Sequence, residues 1–415
     1  MSTPAPSPLS AADSDPNAIL RLPEFRYLMA ARICQALGGI SFATVIGYQL
    51  YQLTKDPLSL GLLGLVEAIP VLSLSLFGGH IADRNDRRRI VLTAAAVQII
   101  CILLLMLIAL QAERTNVLAI YAVVFFLGIA FGFARPAASA FEQQVIPLGH
   151  AARGASWLSS VGSGAAIVGG PLAGLAIDQL GIPTTFAIIA GLFALAAFST
   201  AMIAPKPVPP PVEGETIWQS LRQGLSFVFH SQPLVGSMAL DLFAVLFGGV
   251  IALLPVFAND ILHVGATGLG ILRTAPSVGV LLIMLLATRR PPTQHAGRNL
   301  LLCVAGFGIS MIVFGLSHNF ILSLVALFFS GVFDGVSMII RDVIMRVLSP
   351  EHMRGRIASV GWVFIGASNE LGALESGVAA RLLGTGPSVF WGGCVTMLVV
   401  ALVTWQAPKL RQLKL

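Results

Sequence analysis

Arg135 and Glu142 stand seven residues apart in one apolar run, and Asp334 and Arg341 stand seven apart in another. On a helix turning about 100° per residue, such positions share a face. Each run therefore presents a guanidinium and a carboxylate together, with the charge order reversed between the two. Further ionisable groups interrupt similar runs: Arg32, Glu67, Asp178, Asp241, Arg273, Asp342, Glu370 and Glu375, with Asp83 at a rim. Charge within an apolar helix is costly and usually faces a cavity or a partner. The chemistry open to these groups is ion pairs that form and break, proton carriage by a carboxylate, or electrostatic binding of a charged cargo. Glu67, Arg273 and Glu375 lie roughly 9–14 Å from the ends of their runs at 1.5 Å per residue, and Glu370 is slightly deeper. One arginine among three acids leaves a carboxylate short of a full partner, as a proton-coupling site requires. A salt bridge from Arg273 to one of these acids, closing that side, is an equal reading.

The elements that must hold these groups follow from composition. Of 415 residues, 56% are hydrophobic and 11% charged, where a soluble domain carries about 25% charge; mean hydropathy is +0.86. The chain reads as an integral membrane protein. Cys34, Cys101, Cys303 and Cys394 lie in apolar runs and form no CxxC pair, so no disulfide framework is legible. The histidines fall at or near the ends of apolar runs and make no HExxH, which excludes that zinc signature and leaves transition-metal cargo without ligands. No metal site and no cofactor are expected. There is no GxxxxGK[ST], so ATP does not power the protein directly. A membrane-embedded enzyme would need a nucleophile–base pair or metal, and a receptor would need a signalling domain that no loop can hold; neither is expected.

A bilayer core about 30 Å thick takes roughly 20 apolar helical residues. Such runs fall near 27–53, 58–82, 90–111, 116–146, 156–178 and 184–204, and then near 234–258, 265–288, 299–316, 320–347, 357–381 and 388–406. The expected fold is all-α, with twelve membrane helices. Residues 1–20 are rich in Ser, Pro and Ala with no Lys or Arg, hence no basic n-region, and read as a disordered tail rather than a signal peptide. An even span count puts both ends on one side. The loops and tails there hold 18 Lys and Arg, against 3 on the other side. This bias predicts an inner-membrane protein with both termini in the cytoplasm. It also explains the net charge of +6 without nucleic acid, for which no basic face with interleaved aromatics exists.

The stretch 205–222 is the longest polar interruption. Its prolines predict a semi-rigid linker, followed by an amphipathic segment around Trp218–Phe229 that lies on the membrane surface. The expected organisation is a tail (1–20), a six-helix half (21–204), a cytoplasmic linker (205–233), a second six-helix half (234–407) and a short tail (408–415). Internal repetition supports the division. Gly128-x-x-x-Gly132 and Gly331-x-x-x-Gly335 are offset by 203 residues, as are Pro147 and Pro350, and an Arg-Gly pair follows each. Two parallel halves related along the membrane normal are an arrangement of secondary transporters.

Between the second and third spans the chain reads Gly78-Gly79-His80-Ile81-Ala82-Asp83-Arg84-Asn85-Asp86-Arg87-Arg88-Arg89. This resembles the major facilitator superfamily loop motif G-x-x-x-D-R-x-G-R-R, matched at Gly79, Asp83, Arg84, Arg87 and Arg88, with Asp86 in place of the second glycine. Gly79 is placed for close helix approach, Asp83 for accepting from the N-terminal amides of a neighbouring helix, and the arginines for carboxylates or lipid phosphates. The resemblance implies a conformational latch against the start of the eleventh span. Gly170-Pro171-x-x-Gly174 in the fifth span resembles the antiporter motif of exporters in the same superfamily. The stretches 25–32, 239–276 and 333–371 resemble the bacterial group of siderophore exporters and macrolide efflux proteins.

The resemblance implies that spans one, four, seven and ten line a central pathway, which assigns Arg32, Arg135, Asp241, Asp334 and Arg341 to it, with Glu67, Arg273, Glu370 and Glu375 as a second group. One arginine and one acid from each half are expected to meet across the pseudo-twofold axis as gating ion pairs. Asp334, near mid-membrane, is the leading contact for proton or substrate, and Asp241 follows. Arg32, Glu142 and Asp342 lie close enough to the cytoplasmic end to reach headgroups instead. Phe42, Tyr48, Phe243, Phe247 and Phe333 are candidate stacking partners for a ring-bearing cargo. The expected function is a monomeric secondary transporter exporting an amphipathic small molecule, a siderophore or drug-like compound, by proton antiport. The excess of acids favours a cationic or neutral cargo; the group resemblance favours an anionic siderophore.

Overall fold

The structure, a computed structural model, describes residues 18–111, 116–207, 225–289, 292, 294–350 and 354–413. Eleven long helices make up the body: α1 (Pro23–Thr54), α2 (Pro57–Arg84), α3 (Arg87–Leu110), α4 (Val117–Val145), α5 (Ala151–Ala201), α6 (Gln232–Gly248), α7 (Gly265–Ala287), α8 (Ala296–Leu316), α9 (Phe320–Leu348), α10 (Arg354–Leu383) and α11 (Thr385–Gln406). Their starts carry local signals. Asp56, Asp86, Asn116 and Asn319 each accept from backbone amides of the first turn, and proline opens α1, α2 and α6, where its missing N–H is no loss.

Ten segments among the described residues are long and apolar enough to cross a membrane, where the sequence reading had twelve. Two places account for the difference. α5 covers 51 residues as two helices joined at a kink, more than one crossing needs. It contains both the fifth and sixth expected spans, divided at Gly181, whose φ of 81° and ψ of 164° are not helical. A side chain would be strained at that φ, so glycine is what lets the chain turn there. The other is α10, 30 residues long, which stands at the eleventh expected span.

The seventh expected span is not continuous. α6 stops at Gly248, and the chain passes through a 3-10 turn (Val250–Leu253), one helical turn (Leu254–Val256) and a π-turn (Phe257–Ile261). Adjacent Gly248 and Gly249 weaken the helix, and Pro255 removes the amide that would bond to Ile251. Of the expected linker and amphipathic segment, residues 225–230 are helical and 208–224 lie outside the described residues. The same holds for 1–17 of the tail.

The two GxxxG motifs do the same job in each half. A Cβ at Gly128 would stand 2.7 Å from the Glu67 carbonyl oxygen and from the Pro70 ring, so α4 lies directly on α2. A Cβ at Gly331 would strike the carbonyl of Pro276, seating α9 on α7. Pro70 and Pro276 are both mid-helix, so each half has its proline-bearing helix clasped by a glycine-notched neighbour. The chain is an all-α membrane protein of two pseudo-symmetric halves.

The core shows how the halves meet. We term the end of the bundle where α1 begins and α11 finishes the tail face, and the opposite end the far face. Toward the far face one hydrophobic core runs across both halves, joining Val45, Leu50 and Phe193 to Leu254, Phe257 and Leu269. Toward the tail face the cores are separate, one around Phe25, Phe141 and Leu158 and another around Leu240, Leu300 and Ile344. The halves are joined at one end and parted at the other.

Candidate functional site

A cavity of about 440 Å³ opens between the halves. From the first half α1 contributes Ala43, Ile46 and Gly47, and α2 contributes Leu60, Leu63 and Glu67. The second half supplies Asp241 and the interrupted backbone after it, then Arg273, Phe307, Phe333, Asp334, Arg341, Asn369 and Glu370 from α7 to α10. The walls are mostly apolar, as is usual for small-molecule sites, with charge in two groups.

One group is centred on Arg341. Its Nη1 is in contact with Asp241 Oδ1, and its Nη2 lies 3.7 Å from Asp334 Oδ1. Arg341 and Asp241 are both largely buried, with side chains 11% exposed, whereas Asp334 is 41% exposed toward the cavity. This corrects the expected pairing across the pseudo-twofold. Arg341 finds its acid on α6 of its own half, because the cavity separates it from the first half. Arg32 likewise pairs within its half, with Glu142 at 3.6 Å. Arg135 is exposed, with its guanidinium 5.4 Å from the ring centre of Phe131.

The second group gathers Glu67, Arg273 and Glu370. Glu67 is within electrostatic reach of Arg135 and Arg273, and Glu370 within reach of Glu67 and Arg135. Arg273 donates from Nη1 to the Ala43 carbonyl at 3.1 Å, across the divide between halves. No carboxylate among the described residues makes a salt bridge to it, so the expected Arg273–Glu bridge is replaced by a bond to backbone. Arg32, Arg135 and Glu375 do not line the main cavity; Glu375 faces a separate small one. Of the aromatics, Phe333 alone of those expected lines the cavity. Phe42 is buried in the core, Tyr48 packs against it, and Phe243 and Phe247 stack on one another at 6.2 Å.

Apart from Asp178, which was noted without a partner, sequence reasoning missed the groups that close the far face. The Tyr51 hydroxyl donates to Asp260, and Gln52 Nε2 donates to Asn259 Oδ1 at 2.8 Å, tying α1 to the π-turn of the other half. Asp178 on α5 accepts from the Thr267 amide and hydroxyl at 2.9 and 2.6 Å, and Arg381 lies 3.4 Å from Asp56. The available signal was weak: polar residues at the ends of apolar runs. Asn369 and Phe307 in the cavity wall were also missed.

The motif residues are placed as follows. A Cβ at Gly78 would stand 2.6 Å from the Gly132 carbonyl, while nothing lies within 4 Å of one at Gly79. The close approach therefore belongs to Gly78, not Gly79. Asp86 accepts from the Arg88 and Arg89 amides, so the residue standing where the motif has glycine caps α3. Arg87 donates to the Ala82 and Ala140 carbonyls and to Asp83, and Arg88 to the Ala201 carbonyl at 2.6 Å. Both arginines thus stitch helix ends of the first half together. The Asp83 side chain is 71% exposed; residues 351–353, before the start of α10, lie outside the described residues. Gly170 and Gly174 lie at the seam between halves, where α5 meets the Gly270 and Ala266 backbone of α7. Among the described residues no group of three or more His, Cys, Asp or Glu is placed to hold a metal.

The family model described as transmembrane secretion effector matches residues 14–414. The chain belongs to this family of the major facilitator superfamily. As a member it is a multi-pass inner-membrane transporter. It is 27% identical over 383 residues to the enterobactin exporter EntS of Escherichia coli O1:K1 / APEC, covering 87% of this chain and 85% of that protein. It is 26% identical over 410 residues to the multidrug efflux pump Tap of Mycolicibacterium fortuitum, covering 95% and 98%. The fold is that of solved major facilitator structures. The nucleoside transporter NupG superposes with TM-score 0.73 at 14% identity over 92% of this chain and 99% of that one. A D-xylose–proton symporter gives 0.72 at 15% over 94% and 99%.

Proposed function

We propose that this transporter exports an amphipathic small molecule from the cytoplasm in exchange for protons, rocking its halves about the central cavity. The cavity carries the reading: its walls are apolar, both halves supply them, and charge is held at two places where it can meet cargo or proton. The far face is the periplasmic one, since the tail face holds the excess of lysine and arginine, and the conformation described here is closed outward. Joined cores at one end and parted cores at the other are the geometry that alternating access requires. One chain encloses the cavity, so the working unit is a monomer.

The cargo class follows from the balance of charge. Among the described residues Glu67, Asp241, Asp334 and Glu370 face the cavity against Arg273 and Arg341, which favours cationic or neutral compounds, as the likeness to a multidrug pump also suggests. A dedicated siderophore exporter, as the likeness to EntS suggests, is the second reading, with Arg341 and Arg273 as anion contacts. Everted vesicles with an acid interior and a pH-sensitive dye separate them. Lipophilic cations are expected to collapse the gradient in wild type and not in Asp334→Asn. A response to catecholate siderophores alone would favour the second reading. Cargo uptake with no proton movement would overturn antiport.

A further inference from the structure

Behind the wall of the main cavity, between α6, α10 and α11, is a second cavity of about 10 Å³, lined by Phe247, Gly248, Gly249, Glu375, Ser376 and Ser388 among others. That is room for one atom the size of a water oxygen. Three kinds of oxygen converge on it. The first is the Glu375 carboxylate. The second is the pair of hydroxyls on Ser376 and Ser388, both buried; Ser376 donates to the Gly249 carbonyl at 3.1 Å and Ser388 to the Thr385 carbonyl at 2.8 Å. Both hydroxyls donate to backbone, Ser376 is also a hydrogen-bond partner of Glu375, and each oxygen keeps lone pairs as an acceptor. The third is the broken end of α6. The Gly249 carbonyl, just past the end of α6 at Gly248, accepts from Ser376 and keeps a second lone pair.

The lining includes no Lys, Arg or His, and no salt bridge is made by Glu375 among the described residues. We propose that this cavity is a binding site for a single monovalent hard cation, Na⁺, held by Glu375, Ser376, Ser388 and the Gly249 carbonyl. Oxygen ligands alone select hard ions over transition metals. One carboxylate matches one positive charge, whereas Ca²⁺ sites gather more oxygens and more charge. Backbone carbonyls at a break in a helix are a known means of holding such an ion within a membrane.

The position gives the ion a mechanical role. Gly248, Gly249 and Val250 line both the small cavity and the main one, so the same backbone is cargo wall on one side and ion ligand on the other. Binding would fix the break in α6 and, with it, the wall that cargo meets. The inference needs a transporter but not proton coupling, and it is read by binding rather than by transport.

The test uses the full chain purified into nanodiscs at constant pH and ionic strength. Thermal unfolding is followed while NaCl replaces choline chloride, with KCl as a second control, and ²²Na⁺ binding is measured in parallel. A ligand that binds only the folded state raises its melting temperature in a saturable way. Na⁺ is expected to give such a rise, with saturable ²²Na⁺ binding. Glu375→Gln, which keeps shape and removes charge, is expected to lose both, and Ser388→Ala to weaken apparent affinity several-fold. Equal melting temperatures in Na⁺, K⁺ and choline for the wild type would mean that the cavity holds water, and would overturn the proposal without recourse to any variant. A Na⁺ effect that survives in Glu375→Gln would place the ion elsewhere and overturn it equally.

Discussion

Replacing Arg341 by leucine removes one positive charge from two carboxylates at once, and the two should respond very differently. Asp241 is in contact with Arg341 and both side chains are 11% exposed, so removal strands a buried charge. Losing one partner of such a buried pair costs about 3–5 kcal/mol. The Asp334 pair looks comparable on distance alone: at 3.7 Å and an effective dielectric near 20, Coulomb's law gives about 4.5 kcal/mol. Asp334 is 41% exposed, however, and screening reduces an exposed pair to about 1 kcal/mol or less. The structure therefore orders the variants. Arg341→Leu should be the least stable, and Asp334→Asn close to wild type in stability even where transport suffers. Asp241→Asn with Arg341→Leu should recover about 0.5–3 kcal/mol relative to the sum of the single effects, the range for residues in contact. The assay is equilibrium unfolding by a denaturing detergent for the four corners of the cycle, with Asp334→Asn alongside. If the double variant were no better than the sum of its singles, or if Asp334→Asn cost as much as Arg341→Leu, the view of Asp241 as structural partner and Asp334 as the available carboxylate would be refuted.

Three further outcomes are expected. Gly170→Ala places a Cβ 2.7 Å from the Gly270 carbonyl and should cost about 1–3 kcal/mol by over-packing, whereas Gly164→Ala, with nothing within 4 Å, should be neutral or stabilising; thermal unfolding of both checks the seam. Asp86→Ala should cost about 1 kcal/mol through loss of the α3 cap, and Asp86→Gly only a few tenths, a contrast visible in amide exchange at 87–90. Tyr51→Phe removes a bond to a carboxylate worth about 1.5–3 kcal/mol and should shift the population toward a conformation open at the far face. With Cys34, Cys101 and Cys394 replaced by serine, labelling of the cavity-lining Cys303 by an impermeant maleimide added outside whole cells should then rise about tenfold or more; unchanged labelling would show that closure does not rest on Tyr51 and Asp260.

The membrane helices were legible because a bilayer imposes a length, and apolar runs of that length are hard to mistake. The division into halves was legible for a related reason: Gly128 and Gly331 clasp Pro70 and Pro276, and such close backbone approach tolerates only small residues. What escaped was set by tertiary proximity. Asp241 and Arg341 are 100 residues apart, and no spacing rule joins residues on different helices, so the pseudo-twofold relation of the halves paired Arg341 with a partner across the axis instead. Residues 248–256 read as one apolar run with their neighbours because hydropathy does not register where the hydrogen-bond pattern changes. The two glycines and Pro255 were visible, but an isolated glycine pair or proline is common in membrane helices. Gly79 was preferred to Gly78 because a motif records position, whereas which of two adjacent glycines meets another helix is settled by rotation about the helix axis.

The turn at Gly181 has a consequence for anyone wishing to hold this protein from outside. α5 passes through it with no loop, and the other described connections on the far face are similarly brief: Lys55–Asp56, Leu262–Val264, Ser317–Asn319 and Gly384. An antibody or nanobody directed at these described connections would find helix ends rather than a protruding epitope. In the alternating-access mechanism proposed above, those ends change their mutual spacing as the halves rock. A binder that spans Tyr51 and Asn259 would therefore grip only one conformation, and would act as an inhibitor from the moment it bound.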